Sequence, residues 1–596
     1  MAEPLSGSRS VGVAVTATLP DRWLTDWDRY ERLPFYTRAN AGEVLPDPAS
    51  PLGWTLVFER GLLPGWLQGM VDFGIYRQGE LPSDRPPVAG LFGGYFYINL
   101  SHCRLMAIRM GMTVEAFDAA LLGSATVAPP YQPRPDDECA ECSAKVGQTV
   151  AEILGRTSFS EIEEDLRRVL DKRANRPDLG ALSAEALVGR ARDFLPELDN
   201  AFARHDYSTL GSAVGPAMLG EVCASVGRPD ALLHLISGLG EVPSASPSWG
   251  LWRLSRLVNG SAELSALFDS GVAAVSQALA STAADVSAPL AELQAALQEF
   301  LRDYGQRGPN EWDIRAVSWE AAPEQVLALV DSMRHSSDDN SPDARHAALQ
   351  ATRAATTEQI RAALTDDAAR QSFDTALQSA MHTIPLREVT KLIAVTSINE
   401  VRMALRELGR RGVEAGLFRA PEDVMMLLES ELDAYVADPA PFASVIAERL
   451  AQYLELFDLE PPFIIDSDPA PLSTWPRRGE SRVDRARAGD VLSGIGGSAG
   501  QYEGIARVVT DLSGAMALEP GEILVAPLTD AAWTPLFLVA GAVVVDVGAL
   551  NSHAVVVSRE LGLPCVLSLN DATARLTTGV RLAVDGTAGT VTVLSD

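Results

Sequence analysis

The chain has 596 residues, of which 47% are hydrophobic and 21% charged, a balance typical of globular proteins with sizeable cores and not of disordered chains. It carries 49 lysines and arginines against 79 aspartates and glutamates, so its formal net charge is −30. Because binding to phosphate-rich surfaces needs clustered cations, we exclude nucleic acid and anionic membranes as expected partners.

The N-terminal residues and the cysteines indicate a soluble protein of the cytoplasm. Residues 1–20 lack the basic segment and apolar core of a secretory signal. The longest apolar run, Leu536–Val545, is shorter than the roughly 20 residues that span a bilayer. Cys139 and Cys142 form a CxxC without a second ligand pair nearby, so we predict ordinary thiols, no metal site and a reducing compartment.

Residues 1–135 are predicted to form a mixed N-terminal part of short strands, loops and some helix. This part is rich in Gly and Pro and in aromatic residues. A buried core is one interpretation of the aromatics, and a pocket for an aromatic or apolar ligand is the other. The aromatics singled out are Trp23, Trp27, Tyr30, Phe35, Tyr36, Trp54, Phe92, Tyr95, Phe96 and Tyr97.

Residues 136–465 are predicted to be mainly helical, because apolar residues recur there at helical spacing. A polar loop is predicted over Ser336–Pro342. Two apolar stripes illustrate the pattern, one of Ile162, Leu166, Val169 and Leu170, the other of Val424, Leu427, Leu428 and Leu432.

An exposed linker is predicted over residues 466–489, which hold several prolines and arginines and no apolar periodicity. A compact unit follows over residues 490–596. Its predicted elements are the strands Ile505–Val509, Ile523–Ala526 and Ala542–Val545, a helix over Ala554–Leu561 and a hairpin over Leu582–Leu594. The expected fold class is therefore a multidomain α+β protein with a largely helical middle part.

No nucleotide-binding motif survives inspection of the sequence. Gly494–Ala499 superficially matches a dinucleotide fingerprint, but a strand-like segment follows where that motif requires a helix. The sequence also lacks a GxxxxGK[ST] loop and an HExxH motif.

His553 stands at the predicted start of the helix in the C-terminal unit, where Asn551 or Ser552 is a suitable N-cap. The positive end of a helix dipole disfavours the imidazolium, so we expect a neutral and nucleophilic ring. Free N–H groups of the first turn can receive phosphate oxygens. Arg559 then faces either that phosphate or a neighbouring surface. From the residues alone, a structural histidine and a phosphoryl carrier both remain open.

This segment resembles the phosphohistidine swivelling domain of the phosphoenolpyruvate (PEP)-utilising enzymes. Asp546, Gly548, Ser552 and His553, followed by an Arg-Glu-x-Gly-x-Pro stretch from Arg559 to Pro564, fit that family's pattern, with Ala549 in place of its second glycine. The resemblance implies that His553 is transiently phosphorylated and that the unit swings between two remote sites. Further matches are Gly504–Val509, Gly521–Val525 and Thr529–Pro535, with Ala531 where the family often has proline.

The preceding part resembles the substrate domain of rifampin phosphotransferase-like proteins, through Asn40–Pro46 and through Arg387, Glu388 and Lys391. Those proteins begin with an ATP-grasp domain, which we do not find before Asn40. The histidine-bearing subunit of phenylphosphate synthase has a similar arrangement. The resemblance therefore implies a separate ATP-grasp partner that uses ATP and Mg²⁺, with no cofactor bound by motif in this chain.

The leading hypothesis is a phosphotransferase subunit in which His553 is the covalent nucleophile and Ser552 and Arg559 support the phosphate. The acceptor is expected to be a small organic hydroxyl compound, with an aromatic one as an option. Arg387 and Lys391, one turn apart, form either a basic patch for this substrate or an ordinary ion-paired helix face. The alternatives are a non-catalytic binding or regulatory protein and, with less support, a self-sufficient kinase.

Overall fold

The computed structural model describes residues 18–122, 126–240, 242–281, 287–479, 484–510, 518–549, 552–569 and 571–595. It is an α+β structure in which a mainly helical region precedes a C-terminal unit built on one mixed sheet. At this level the predicted fold class is confirmed.

The N-terminal part packs short strands and helices around aromatic residues. Eight of the ten aromatics singled out above are buried, among them Trp54 and Tyr95 with no exposed surface, which confirms their interpretation as a core. The elements are β1 (Tyr36–Thr37), α1 (Ala41–Val44), a π-helix (Gly53–Leu62), α2 (Leu63–Phe73), β2 (Ala89–Phe92), β3 (Tyr95–Asn99), α3 (Leu100–Arg109) and α4 (Val114–Leu122).

The middle of the chain is helical, as its apolar spacing predicts. Two long helices, Leu195–Ser225 and Asp367–Glu414, pack closely side by side. A Cβ on Gly215 of the first would lie 2.6 Å from the backbone nitrogen of Ala380 in the second. The helices are α5 (Ala140–Gly155), α6 (Ser160–Ala174), α7 (Ala184–Asp193), α8 (Leu195–Ser225), α9 (Ala231–Leu235), α10 (Pro247–Asn259), α11 (Ala262–Asp269), α12 (Val272–Leu279), α13 (Ala288–Tyr304), α14 (Pro323–Met333), α15 (Pro342–Ala363), α16 (Asp367–Glu414), α17 (Leu432–Ala437) and α18 (Phe442–Leu456).

Three local expectations need correction. The stripe from Val424 to Leu432 forms short 3₁₀ turns over Pro421–Met426 and Glu429–Glu431 before α17. The Asp423 carboxylate accepts the N–H groups of Arg419 and Ala420, so a new helical turn begins there.

The second correction concerns the predicted linker, which is exposed only in part. Within that linker, Leu472 and Trp475 are buried, and the Trp475 ring stacks on Tyr95 of the N-terminal core. Just before the linker, β4 (Ile464–Ile465) pairs with β1, which completes a sheet of order β2-β3-β1-β4. The polypeptide therefore returns to its N-terminal part before it enters the C-terminal unit.

The third correction concerns the CxxC, which we expected to hold free thiols. Cys139 and Cys142 are joined by a disulfide. Cys139 is the N-cap of α5 and Cys142 lies in its first turn, so the helix start brings the two sulfur atoms together. Cys103, Cys223 and Cys565 are free and buried.

The C-terminal unit is an eight-stranded sheet of order β5-β12-β11-β7-β8-β9-β10-β6. Strands β7 to β10 are parallel neighbours and the flanking strands are antiparallel. Its elements are β5 (Val491–Ser493), β6 (Ile495–Ser498), β7 (Gln501–Val508), β8 (Ile523–Ala526), α19 (Thr534–Val539), β9 (Ala542–Val545), α20 (His553–Leu561), β10 (Cys565–Leu567), α21 (Ala572–Arg575), β11 (Arg581–Asp585) and β12 (Thr590–Ser595).

The C-terminal unit shares one apolar core with the helical region. Leu536 and Phe537 of α19 are buried together with Trp252 of α10 and Val330 of α14. None of the helices in the described part of the chain combines the length and apolar composition of a membrane span. The shared core seats α19 and α20 on the helical region and so determines what His553 faces.

Candidate active site between the helical region and the C-terminal unit

His553 is the first residue of α20, and α20 follows the carboxyl end of β9. The neighbouring parallel strand β8 ends at the same edge of the sheet, and the loop after it contains Thr529. The carboxyl ends of parallel strands are a common place for ligand sites, because the loops that leave them converge. The helix ends at Gly562, whose φ of 67° is the left-handed conformation that favours glycine.

Both ring nitrogens of His553 have a threonine hydroxyl as partner. Nδ1 lies 3.0 Å from Thr529 Oγ1 and Nε2 lies 2.9 Å from Thr534 Oγ1, while Phe537 packs edge-on against the ring at 5.7 Å. A neutral imidazole has one donor and one acceptor nitrogen, so one threonine accepts and the other donates. Both threonines lie in the Thr529–Pro535 motif, but the sequence analysis assigned them no role.

The pKa of His553 lies well below its usual range. Burial is the largest cause, followed by the positive charges of Lys391 and Arg307. The lowered pKa agrees with the neutral ring expected from the helix dipole, although its causes are burial and the two cations. The lowered pKa favours the neutral imidazole, whose acceptor nitrogen carries the lone pair for a nucleophilic step and here accepts a threonine hydroxyl.

Ser552 takes the N-cap position of α20 without a side-chain capping bond. The residue is 5% exposed, and its Oγ has no partner among the described residues. Asn551, the other N-cap candidate, lies outside the described residues. A buried, unpartnered hydroxyl beside His553 is a free hydrogen-bonding group at the start of the helix.

Arg387 and Lys391 lie one turn apart on α16, and their positive charges reach the site. The Lys391 ammonium is 3.1 Å from Glu311 Oε1, and Arg307 contacts the other oxygen of Glu311 at 2.7 Å. Arg387 pairs with Glu388 at 2.5 Å. The face is therefore ion-paired, as one of the two interpretations expected, but it is mostly buried, and Lys391 acts on His553. A role of Arg387 and Lys391 in binding the substrate stays a prediction.

Glu43, from α1 of the N-terminal part, also reaches this site. The backbone N–H of Ala549, in the loop before α20, points to its carboxylate, and its Oε1 is buried without a partner among the described residues. Burial raises its pKa to about 8, although Arg387 and Lys391 act in the opposite direction. Sequence reasoning noted Glu43 only as part of a motif.

Of the two positions left open for Arg559, the structure shows a contact with a neighbouring surface, the C-terminal sheet. The Nε of Arg559 donates to the carbonyl oxygen of Gly497 in β6 at 2.8 Å, and burial lowers its pKa to about 10. The adjacent Glu560 accepts the backbone N–H of Leu239 at 3.1 Å. The structure thus ties Arg559 to the sheet, and its role as a phosphate ligand stays a prediction.

A group of rings lies beside Arg387 and Lys391, with Phe202 and His205 on α8 and Trp312 in the segment between α13 and α14. Trp312 packs edge-on against Phe202 at 5.9 Å and at a tilt against His205 at 6.2 Å. Burial, followed by Arg387 and Lys391, lowers the pKa of His205 well below its usual range. Within the described ranges, no group of three His, Cys, Asp or Glu side chains is placed to hold a metal ion.

Two family models match separate parts of the chain. Residues 205–388 match the rifampicin phosphotransferase fourth domain, and residues 518–589 match the mobile domain of PEP-utilising enzymes. The first range includes His205, Arg307 and Arg387, and the second includes Thr529, Ser552 and His553. The resemblance to PEP-utilising enzymes, and among them to rifampin phosphotransferase-like proteins, is confirmed.

Three curated relatives show the same similarity. An uncharacterized protein of Mycobacterium tuberculosis is 34% identical over 52% of this chain and 32% of the relative. The rifampicin phosphotransferase of Streptomyces sviceus is 30% identical over 51% of this chain and 35% of the relative. The prodigiosin synthesizing transferase PigC of Serratia marcescens is 30% identical over 62% of this chain and 41% of the relative. The matched regions therefore span between about a third and two fifths of these relatives.

Proposed function

Because the chain resembles rifampicin phosphotransferases within the PEP-utilising family, we propose that it is a phosphotransferase component in which His553 carries a phosphoryl group. The observation that supports this most directly is the neutral His553 ring, seated opposite Arg307 and Lys391 of the helical region. A neutral ring can accept the phosphoryl group, and the cations offset the charge that the group brings.

The donor we propose is ATP, used with Mg²⁺ by a separate ATP-grasp protein. In the first step a His553 ring nitrogen attacks the phosphorus of the donor and forms the N–P bond. The bond between phosphorus and the leaving group breaks, and the leaving group departs with its electron pair. The free hydroxyl of Ser552 and the first N–H groups of α20 are placed to receive the phosphate oxygens. For this step the C-terminal unit must leave the seat seen here.

In the second step the C-terminal unit occupies the position seen in this structure, with His553 against the helical region, and transfer to the acceptor takes place there. Phospho-His553 then faces Lys391, with Arg387 one turn away on the same helix, and these cations stabilise the charge of the transferring group. The acceptor we propose is a small organic hydroxyl compound with a flat ring, supported by the neighbouring rings of Phe202, His205 and Trp312. Two relatives are named for organic compounds, rifampicin and prodigiosin.

The test is phosphoryl transfer from β-labelled ATP to the purified chain, with and without a candidate ATP-grasp protein. We expect label that needs both that protein and His553, that is lost in acid and that persists in base, as phosphohistidine does. His553→Ala is the control for the site, and circular dichroism checks that it folds.

Other outcomes separate the alternatives. Label without the second protein would identify a self-sufficient kinase. No label on the folded chain with an active ATP-grasp protein would favour a non-catalytic binding or regulatory protein, for which Ala531 and Ala549, both departures from the family pattern, are the sequence support.

A further inference from the structure

We propose that Glu43 is the general base of the transfer step, taking the proton from the acceptor hydroxyl as its oxygen attacks phospho-His553. This inference rests on the proposed function and adds the group that completes its chemistry. It begins from a contact between parts of the chain that are far apart in sequence, since Glu43 meets the loop that leads into α20 at Ala549.

Three of the carboxylates near the cations, Glu43, Glu311 and Glu388, are not equivalent, and a fourth, Asp530, accepts the backbone N–H groups of Asn310 and Ala532. Glu311 is held by Lys391 and Arg307, and Glu388 is held by Arg387. Glu43 is in none of these ion pairs, and its Oε1 is buried without a partner among the described residues. A buried carboxylate oxygen without a donor is costly, so a hydroxyl supplied by a ligand would satisfy it.

The pKa values separate the same three groups. Burial opposes ionisation of Glu311 and Glu388, but the adjacent cations outweigh it and lower the pKa of each. At Glu43 burial prevails and the pKa rises to about 8. Neighbouring carboxyl groups with pKa values driven apart commonly divide into charge partners and a proton acceptor, and a raised pKa suits a base that works near neutral pH.

The proposed step balances as follows. The acceptor oxygen forms a P–O bond while the N–P bond to His553 breaks, and the electron pair of the broken bond returns to the ring nitrogen. The acceptor proton moves to Glu43 Oε1 and is later released to solvent. Arg387 and Lys391 keep their charges throughout and hold the phosphoryl oxygens. The products are a phosphate ester and a neutral His553 imidazole.

The experiment uses water as the acceptor hydroxyl, so that it does not depend on knowing the substrate. The full chain is charged on His553 with labelled phosphoramidate, a small phosphoryl donor that needs no partner protein, and the loss of label is followed from pH 6 to pH 9.5. Glu43→Gln keeps an oxygen for the Ala549 N–H but is not a base. Glu43→Asp keeps a carboxylate, and Glu31→Gln changes an exposed glutamate as the matched control.

For the wild type and Glu31→Gln we expect loss of label to rise about tenfold from pH 7 to pH 9, as a carboxyl of pKa about 8 ionises. Unassisted phosphohistidine hydrolysis has the opposite pH dependence. Glu43→Gln should charge normally but lose label about 10²-fold more slowly at pH 9, without the rise. Glu43→Asp should restore part of the rise.

Each remaining outcome overturns a defined statement. Normal charging with the same rates and pH profile in Glu43→Gln and wild type overturns Glu43 as the base. A wild-type profile that is flat above pH 6 also overturns it and favours His205, which is neutral over that range. Absence of label on His553 in the folded wild type, with no label from ATP and an ATP-grasp protein, overturns the proposed function and this inference together.

Discussion

Lys391 acts on several groups of the candidate site at once. Its positive charge lowers the pKa of His553, opposes the rise at Glu43 and helps to keep Glu311 ionised. A single ammonium can do this because the site is buried, where charge interactions are screened less than in water. Removal of this ammonium should therefore raise the pKa values of His553, Glu43 and Glu311.

We predict that Lys391→Met raises the pKa of His553, because the protonated imidazole no longer faces that cation. The measurement is a pH titration of ¹³C-labelled histidine side chains by NMR, with the His553 signal assigned through His553→Ala. Lys145→Met, on α5, is the matched control, since Lys145 is exposed and bonds only the Val71 carbonyl in the described structure. An unmoved His553 signal in Lys391→Met would contradict the charge arrangement described.

The residues of the site were only partly predictable. His553 and Ser552 follow from a local motif, and Arg387 and Lys391 from helical spacing with a resemblance. Glu43, Arg307 and His205 were not predicted, because contacts between distant segments bring them to the candidate site, and no local pattern reports such contacts. Arg559 shows the converse limit, since its place in the motif gave no sign that it bonds the Gly497 carbonyl.

At the level of elements, turn chemistry decides how well the sequence predicts structure. Strands β8 and β9 have the predicted bounds, and the predicted helix is α20 with one more residue at its start, because Gly and Pro mark the ends of these short elements. The prediction of a continuous helical stripe over 424–432 was wrong, because apolar spacing alone does not distinguish an α-helix from successive 3₁₀ turns around capping carboxylates.

Close packing of α16 provides an element-level prediction. A Cβ on Gly409 would lie 1.9 Å from the carbonyl oxygen of Pro421, whereas a Cβ on Gly147 of α5 would meet nothing within 4 Å. Gly409→Ala should therefore lower the free energy of unfolding by about 1–3 kcal/mol through overpacking. Gly147→Ala should raise it by about 0.5–1 kcal/mol, because alanine favours a helix interior.

The pair is compared by thermal unfolding followed by far-UV circular dichroism, with both variants measured beside the wild type. Because α16 carries Arg387 and Lys391, Gly409→Ala should also reduce transfer from phospho-His553 at temperatures just below its transition. Equal transition temperatures for the two variants would show that the 415–421 segment yields to the added methyl group.

At the scale of the whole molecule, the helical region and the C-terminal unit are joined by polar contacts as well as by the shared apolar core. Glu560 accepts the Leu239 N–H at 3.1 Å, and Asp530 accepts the Asn310 N–H at 2.7 Å. Burial raises the pKa of Glu560 to about 7 and that of Asp530 to about 6. In the proposed function the C-terminal unit leaves this position to be charged, which would expose both carboxyl groups and link its departure to proton release.

The sign of this linkage follows from the raised pKa. The seated state favours protonated Glu560, so its contribution to seating is present below the usual pKa of 4.5 and is lost as pH rises through about 7. The difference is worth about 3 kcal/mol at most. The ionisable groups beside Glu560 are His346, at 3.9 Å, and the guanidinium groups of Arg353 and Arg559. His346 has a lowered pKa and opposes seating at acid pH, so a variant must isolate Glu560.

We predict that Glu560→Gln keeps the C-terminal unit seated at pH 8, where the wild type releases it more often. An uncharged amide still accepts the Leu239 N–H but carries no penalty for burial of a negative charge. The measurement is the radius of gyration by small-angle X-ray scattering, which should increase from pH 5.5 to pH 8 in the wild type and change less in Glu560→Gln. Glu503→Gln, an exposed glutamate on β7, is the control and should follow the wild type. If Glu560→Gln instead expands more than the wild type at pH 8, the ionised carboxylate strengthens the seat, and the linkage has the opposite sign.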